Sequence, residues 1–219
     1  MSSQYDAAKN HFDSVPKKWN KLYSDDSGLL RTYNKIFRKG IYDRFEFTFA
    51  KCNNLKNSNI LDIGSGTGAY CIEFSSRDAR KVVGIDIAPS MVEYSKSAAR
   101  EFGVSEKCEF ICGNILDYEF SKSFDYIIAM GFFDYSNAND SELLFKTIAK
   151  MKPKKFIASF PKYTFLWGLQ RHIRYQYIKN CPIYYYKEND VVQSFKSLGC
   201  SNYELLSSNT GFVISVEFD

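Results

Sequence analysis

Short apolar runs alternate with longer segments of helical periodicity through the middle of this chain. Between the runs, apolar residues recur three or four positions apart, which is the spacing of an amphipathic helix. The apolar runs contain few polar residues, which is typical of strands that are buried on both faces of a parallel sheet. These runs lie at 60–63, 81–86, 109–111, 124–130 and 155–160. This alternation predicts a doubly wound α/β sheet with right-handed crossovers.

The two ends of the chain have different patterns. Before the first strand we expect one or two short helices within 7–23 and a longer helical stretch at 29–52. After the fifth strand, a helix near 189–198 precedes two strands, 203–206 and 212–218, whose short connection favours an antiparallel hairpin. We therefore predict a single domain made of four parts, a helical cover (1–58), a core (59–160), an insert (161–187) and a closing helix and hairpin (188–219).

Three glycines at alternate positions follow the first strand and open a helix. They are Gly64, Gly66 and Gly68, with Ser65 and Thr67 between them. Because glycine has no Cβ, such a turn can fold tightly and let a ligand lie on the backbone, beside the positive end of the helix dipole. The pattern also fits the dinucleotide fingerprint G-x-G-x-x-G/A, so it predicts a nucleotide-like ligand without saying which.

Two acidic residues narrow the choice of ligand. Asp62 lies two positions before the first glycine, where a carboxylate gains nothing from a pyrophosphate but favours a ligand with an ammonium group. Asp86 ends the second strand, 18 positions after Gly68, and can accept hydrogen bonds from both hydroxyls of a ribose. An ammonium-bearing nucleoside fits this pair better than a nicotinamide dinucleotide does.

Residues 55–160 resemble a class I S-adenosylmethionine-dependent methyltransferase, whose first motif is a strand followed by Asp-x-Gly-x-Gly-x-Gly. The segments at 19–23, 131–135 and 181–184 are similar, more weakly, to the branch with magnesium-protoporphyrin and ubiquinone-pathway O-methyltransferases. The resemblance implies a Rossmann-like seven-stranded sheet, mostly parallel with a C-terminal antiparallel hairpin and with helices on both faces. It also implies S-adenosyl-L-methionine as cofactor, S-adenosyl-L-homocysteine as product, and cofactor contacts from Asp62, Gly64, Ser65, Gly66, Thr67, Gly68, Asp86, Ile87, Met91, Gly113, Asn114, Ile115, Met130 and Gly131.

Four residues are candidates for a catalytic base, which is needed only if the acceptor starts protonated. Asp134 and Tyr135 follow the fourth strand, where members of the similar branch often have a histidine. The two histidines of the chain are His11, in the predicted cover, and His172, in the insert. An ordinary packing or surface role is the simpler interpretation of either histidine alone.

Charge and aromatic content indicate where an acceptor would bind. The net charge of +4 is too small to imply nucleic acid, whereas aromatic residues make up 17% of the chain. The insert contains no Asp or Glu, and we interpret it as a lid for an anionic or aromatic molecule; a plain packing insert and a single-stranded nucleic-acid surface are the alternatives. The predicted substrate-binding residues are Trp19, Tyr23, Tyr163, Arg171, Arg174 and Tyr185.

The remaining features bound the function. The six cysteines are scattered without a C-x-x-C pair, so we expect no metal site and interpret Cys108 and Cys112 as core thiols. Without a signal pattern or a long apolar run, we expect a cytoplasmic protein with no membrane span. The sequence thus predicts a small-molecule methyltransferase, more O- than N- or C-directed; the alternatives are N-methylation, a non-catalytic cofactor-binding protein and, more remotely, a nicotinamide oxidoreductase.

Overall fold

The computed structural model describes residues 9–10, 39–120, 122–165, 169, 173 and 181–218 of the 219-residue chain. Its strands are β1 (Asn59–Ile63), β2 (Lys81–Asp86), β3 (Cys108–Cys112), β4 (Tyr126–Ala129), β5 (Lys155–Pro161), β6 (Cys200–Ser207) and β7 (Gly211–Phe218). The main helices are α1 (Lys39–Lys51), α2 (Ala69–Ser76), α3 (Pro89–Glu101), α4 (Ala138–Met151) and α5 (Glu188–Ser197), with a short 3₁₀ helix at Ile115–Asp117. In this part of the chain, no helix is long and apolar enough to cross a membrane.

All seven strands form one sheet in the order β3-β2-β1-β4-β5-β7-β6. Strands β1 to β5 pair in parallel, whereas β7 is antiparallel to both β5 and β6. The predicted fold, a mostly parallel sheet closed by an antiparallel hairpin, is therefore confirmed. The strand order reverses between β1 and β4, and the carboxyl ends of these two strands border the crevice where open α/β sheets bind their ligands.

Apolar side chains cover both faces of the sheet. On one face, Ile60 and Ile128 pack with residues of α1, α2 and α3, including Phe49, Phe74 and Ala99. The other face packs against α4 and α5 through residues such as Leu61, Ile127, Phe145 and Phe195. Two apolar layers explain why the central strands lack the alternation of polar and apolar residues that is typical of half-exposed sheets.

Helix α1 runs antiparallel to β4 and β5. The carbonyl of Asn54, just after the helix, accepts a hydrogen bond from the Tyr126 hydroxyl at the start of β4 (3.3 Å). Near the other end of α1, Arg44 approaches Ser159 close to the end of β5 (3.5 Å). The N-terminus of α1 therefore lies at the carboxyl end of the strands, beside the crevice.

Several predicted boundaries differ from the structure, each for a local reason. The sequence predicts a helix over residues 141–151, but helix α4 begins three residues earlier, at Ala138. The Asn137 side chain caps it there by accepting a hydrogen bond from the Asp140 N–H (2.9 Å). Strand β4 is shorter than expected, since Gly131 turns the chain with a positive φ of 79°. The prediction that Cys112 is a core thiol was wrong. Cys108 is buried, but Cys112 is exposed at the end of the edge strand β3.

Candidate functional site

The glycine turn is attached to the neighbouring strand by its backbone. The N–H groups of Gly64 and Ser65 both donate to the carbonyl of Ile85 in β2, at 2.8 and 3.1 Å. All three glycines have a positive φ, of 70°, 53° and 77° for Gly64, Gly66 and Gly68. L-residues with a side chain rarely adopt such angles, so the turn needs glycine at these positions.

The three glycines face different surroundings. A Cβ on Gly64 would lie 3.2 Å from the Phe132 ring, and one on Gly68 would lie 2.8 Å from the Cβ of Ser95. A Cβ on Gly66 would meet nothing within 4 Å. Gly64 and Gly68 therefore permit close packing, whereas Gly66 leaves its backbone open on the crevice side.

Asp86 supports this turn from the end of β2. Its Oδ2 accepts a hydrogen bond from the N–H of Gly66 (2.8 Å), and its Oδ1 accepts one from the N–H of Ala88 (2.9 Å). A carboxylate oxygen has two lone pairs and can accept more than one hydrogen bond. The sequence predicts Asp86 as a ligand contact, but its bond to Gly66 is visible only in the structure.

Asp62 lies beneath the turn and not on its open side. Its side chain is only 2% exposed, and its Oδ2 accepts a hydrogen bond from the Cys71 thiol (3.3 Å). Burial raises the pKa of Asp62 to about 7; the Cys71 hydrogen bond opposes this rise and the charge of Asp86 adds to it. The sequence predicts that the ammonium group of a ligand approaches Asp62. In the structure, that group would meet a carboxylate that is almost closed to solvent.

Five further predicted cofactor contacts lie after β2 and β3. Met91 and Ile115 are buried, whereas Ile87, Gly113 and Asn114 are half-buried. The side-chain oxygen of Asn114, one of these predicted contacts, caps the 3₁₀ helix by accepting a hydrogen bond from the Leu116 N–H (3.2 Å). The Gly113 N–H donates to the Asp86 carbonyl (2.9 Å), so this loop and the glycine turn meet at the end of β2.

The loop after β4 forms the other side of the crevice and carries two of the catalytic candidates, Asp134 and Tyr135, both half-buried. The Gly131 N–H donates to the Ser159 hydroxyl (2.8 Å), and the Met130 sulfur lies 3.8 Å from the Thr48 hydroxyl of α1. Because Phe132 packs on Gly64, this loop also touches the glycine turn. The structure thus brings the glycine turn into contact with the loop after β4, which carries two of the catalytic candidates.

The segment that returns from the insert is attached to the same loop. The Tyr184 N–H donates to the Asp134 carbonyl (3.0 Å), and the Tyr186 hydroxyl, which donates to the Ser136 carbonyl, lies 2.7 Å from the Ser141 hydroxyl. Two of the predicted substrate contacts, Tyr163 and Tyr185, form an edge-to-face pair with ring centroids 5.3 Å apart. Trp19, Tyr23, Arg171, Arg174, His11 and His172 lie outside the described residues.

Sequence reasoning missed three residues that the structure places at the crevice: Arg44, Thr48 and Ser159. Ser159 could have been noticed, because a serine in the buried run Phe156–Phe160 needs a hydrogen-bond partner. Arg44 and Thr48 gave no such signal, since polar residues are ordinary on a helix. No group of three or more His, Cys, Asp and Glu side chains that could hold a metal ion occurs among the described residues.

Comparisons with known proteins agree with this geometry. Residues 60–154 match the family described as "Methyltransferase domain". A carboxy-S-adenosyl-L-methionine synthase of Nautilia profundicola is 40% identical over 113 residues, which cover 49% of this chain and 47% of that protein. A malonyl-[acyl-carrier protein] O-methyltransferase of Acetivibrio thermocellus is 37% identical over 81 residues, 36% of this chain and 27% of that protein. The matches thus span less than half the length of these relatives.

Solved structures that match nearly the whole chain include two methyltransferases. The magnesium protoporphyrin IX methyltransferase of Synechocystis, with bound S-adenosylhomocysteine, has a TM-score of 0.77 at 17% identity and covers 99% of this chain and 100% of its own. The geranyl diphosphate C-methyltransferase of Streptomyces coelicolor has a TM-score of 0.75 at 10% identity over 100% of this chain and 99% of its own. Such low identities show the fold alone. Residues 60–154 are therefore similar to a methyltransferase domain, and the chain has the fold of these solved methyltransferases.

Proposed function

We propose that this protein binds S-adenosylmethionine in the crevice and transfers a methyl group to a small molecule, at an oxygen of an anionic or aromatic acceptor. The observation that carries the proposal is the glycine turn itself. Gly66 keeps its backbone open toward the crevice, while Asp86 supports the turn from the neighbouring strand. The family match and the fold support the same activity.

The residues of the crevice fit the cofactor. Helix α2 starts directly after Gly68 without a side-chain cap, so its first N–H groups and its positive dipole end suit the carboxylate of the methionine portion. Asp86 places a carboxylate at the end of β2 beside the glycine turn, and a carboxylate suits the two hydroxyls of a ribose. The Ser65 hydroxyl is buried within the turn and has no hydrogen-bond partner among the described residues, as expected where a ligand or water completes the site.

The cofactor supplies a methyl group on a positively charged sulfur, which is reactive without help from the protein. The chain's own work is to align the acceptor with that carbon and exclude water, and such positioning can contribute about 7–11 kcal/mol. An acceptor hydroxyl must lose its proton as the new C–O bond forms. The Asp134 carboxylate, on the loop that packs against the glycine turn, is our proposed proton acceptor, with Tyr135 beside it.

The oxygen assignment has two supports. The loop of Asp134 and Tyr135 is held to the returning segment of the insert by the Tyr184 N–H, so the proposed base and the proposed lid adjoin each other. In addition, one of the relatives is named as an O-methyltransferase. Methylation of a nitrogen is the second candidate, and a cofactor-binding protein without turnover is the third.

Isothermal titration with S-adenosylhomocysteine and with NAD tests the cofactor. We expect saturable binding of the first and none of the second, and the opposite result would turn the assignment toward an oxidoreductase. A methyl-release assay with a panel of phenols, carboxylic acids and amines then tests the acceptor. Gly66→Val is the negative control in both assays. Turnover with amines alone would contradict the oxygen assignment, and binding without any turnover would favour the non-catalytic candidate.

A further inference from the structure

Arg44 places a positive charge at the carboxyl ends of β4 and β5. Its Nη1 lies 3.5 Å from the Ser159 hydroxyl, which accepts the Gly131 N–H at 2.8 Å. Gly131 opens the loop that carries Asp134. The guanidinium is therefore two hydrogen bonds away from the backbone of the loop where we propose that proton removal occurs.

This guanidinium belongs to a half-buried residue, and no carboxylate in the described part of the chain pairs with it. Apart from Ser159, its acceptor among the described residues is the Gly40 carbonyl (3.0 Å), and no Asp or Glu of these residues lies within 4.0 Å of it. Arginine has five N–H donors in a planar fork, so most of them remain available. Partly buried charges normally have a partner, and an arginine fork matches carboxylate and phosphate oxygens.

The surrounding charges favour an anion at this position. The described first turn of α1 lies at the crevice end of the helix and contains no acidic residue that would compete for Arg44. Asp43 and Glu46 belong to the same helix, but they are one and two positions away, and side chains at those spacings do not face each other.

Asp134 is the acidic residue that faces this region from the loop after β4. Its Oδ2 lies 3.8 Å from the position of a Cβ on Gly131. Arg44 and Asp134 thus approach Gly131 through different groups, a guanidinium bonded to Ser159 and a carboxylate beside the glycine. An acceptor that lies beside Gly131 could place its anionic group at Arg44 and its reacting hydroxyl at Asp134.

From this geometry we propose that Arg44 binds a carboxylate or phosphate group of the methyl acceptor and so selects anionic acceptors. The inference rests on the proposed function, because it places the acceptor beside the loop after β4. The guanidinium lies beside the Ser159 hydroxyl at the end of β5, and the Phe45–Tyr70 ring pair (5.0 Å) packs α1 against α2.

The test uses the full chain saturated with S-adenosylhomocysteine and two matched pairs of probes, benzoate with benzamide and phenyl phosphate with phenol. Ligand-observed NMR titrations give the affinity of each. The wild-type complex should prefer the anion of at least one pair by about tenfold, the effect of one charge-assisted hydrogen bond. Arg44→Gln should abolish that preference, and Arg44→Lys, which keeps the charge, should retain part of it. The pair that shows the preference identifies the anion.

Arg100→Gln is the matched control, because Arg100 lies in the last turn of α3, far from the crevice end of that helix, and is exposed. It should leave all affinities unchanged. S-adenosylhomocysteine affinity and melting temperature, measured for each variant, separate a purely structural role of Arg44 from binding. If Arg44→Gln does not fold, the test rests on Arg44→Lys. A preference for the anion that is smaller than that of the wild type supports the assignment, and an equal preference contradicts it.

The outcomes separate the two proposals. A wild-type protein that fails to bind S-adenosylhomocysteine would overturn the proposed function itself. If it binds but does not prefer either anion, or if the preference is the same in Arg44→Gln, the assignment of Arg44 is wrong while the proposed function stands.

Discussion

Asp86 follows Gly66 by 20 residues, yet its Oδ2 accepts a hydrogen bond from the Gly66 N–H at 2.8 Å. The carboxylate that we expect to meet the ribose is therefore also a structural part of the glycine turn. Its second oxygen is bonded to the N–H of Ala88, at the start of α3. One side chain thus ties the turn, the end of β2 and the next helix together.

Replacing Asp86 by asparagine should weaken cofactor binding. The amide keeps the shape but has only one acceptor oxygen, so it cannot serve Gly66, Ala88 and a ribose equally. We expect the affinity for S-adenosylhomocysteine to fall by about 1.5–3 kcal/mol, measured by isothermal titration. Glu101→Gln, an exposed change at the end of α3, is the control. An unchanged dissociation constant in Asp86→Asn would refute the ribose assignment.

Valine substitutions at Gly66 and Gly68 should separate binding from folding. At Gly66 the new side chain enters open space, so apart from a strain of about 1–2 kcal/mol at its positive φ the fold should persist and binding should be lost. At Gly68 the Cβ would meet Ser95 at 2.8 Å, so the protein itself should be destabilised.

Circular dichroism, melting temperature and a titration with S-adenosylhomocysteine on both variants check this pair. Gly66→Val that keeps native affinity would show that the turn is not the site. Gly68→Val with a wild-type melting temperature would contradict the packing that we describe.

Asp62 should make stability depend on pH. Burial raises the pKa of Asp62 from an ordinary 3.8 to about 7 in the folded protein, so between these values the folded state holds a proton that the unfolded chain has lost. The contribution of Asp62 is therefore full below pH 3.8, decreases as pH rises to about 7, and is constant above that. Asp62→Asn, which cannot ionise, should not show this decrease.

Urea unfolding of wild type and Asp62→Asn at several pH values from about 4 to 8 measures the difference between their free energies of unfolding. That difference should shift in favour of the variant as pH rises. Parallel pH profiles for the two proteins would mean that Asp62 is ionised in the folded state throughout.

Removing the Tyr186 hydroxyl should loosen the end of the insert. This hydroxyl donates to the Ser136 carbonyl and lies 2.7 Å from the Ser141 hydroxyl, and burial raises the pKa of Tyr186 to about 12, so it stays protonated at neutral pH. Tyr186→Phe should lower the free energy of unfolding by about 1–3 kcal/mol, because the Ser136 carbonyl loses its donor. Tyr203→Phe, on the exposed strand β6, is the control.

The same variant bears on the proposed lid. If the returning segment positions the acceptor, Tyr186→Phe should raise the KM for the acceptor while the affinity for S-adenosylhomocysteine stays within about twofold, a difference near 0.4 kcal/mol. If acceptor binding and S-adenosylhomocysteine binding weaken equally, the segment supports the whole crevice and not the acceptor site alone.

Features that depend only on residues close together in the sequence could be predicted from it. The apolar runs identify β1, β2 and β5 almost to the residue, because a strand buried on both faces has to be apolar throughout. The glycine turn is likewise visible, since three glycines at alternate positions would destabilise a strand or a helix and therefore indicate a turn. Asp86 could be named as a ligand contact because it is the last residue of a predicted strand at the crevice end.

Contacts between distant residues needed the folded chain. Arg44 and Ser159 are 115 positions apart, and nothing in either local sequence indicates that α1 runs antiparallel to β5 and brings them together. Cys108 and Cys112 lie on the same strand but differ in exposure, because the position of β3 at the edge of the sheet is a property of strand order. Local composition specifies which elements form and where a turn can bind a ligand. The pairing of those elements in space determines which side chains meet there, since each such contact depends on strand order and helix direction together.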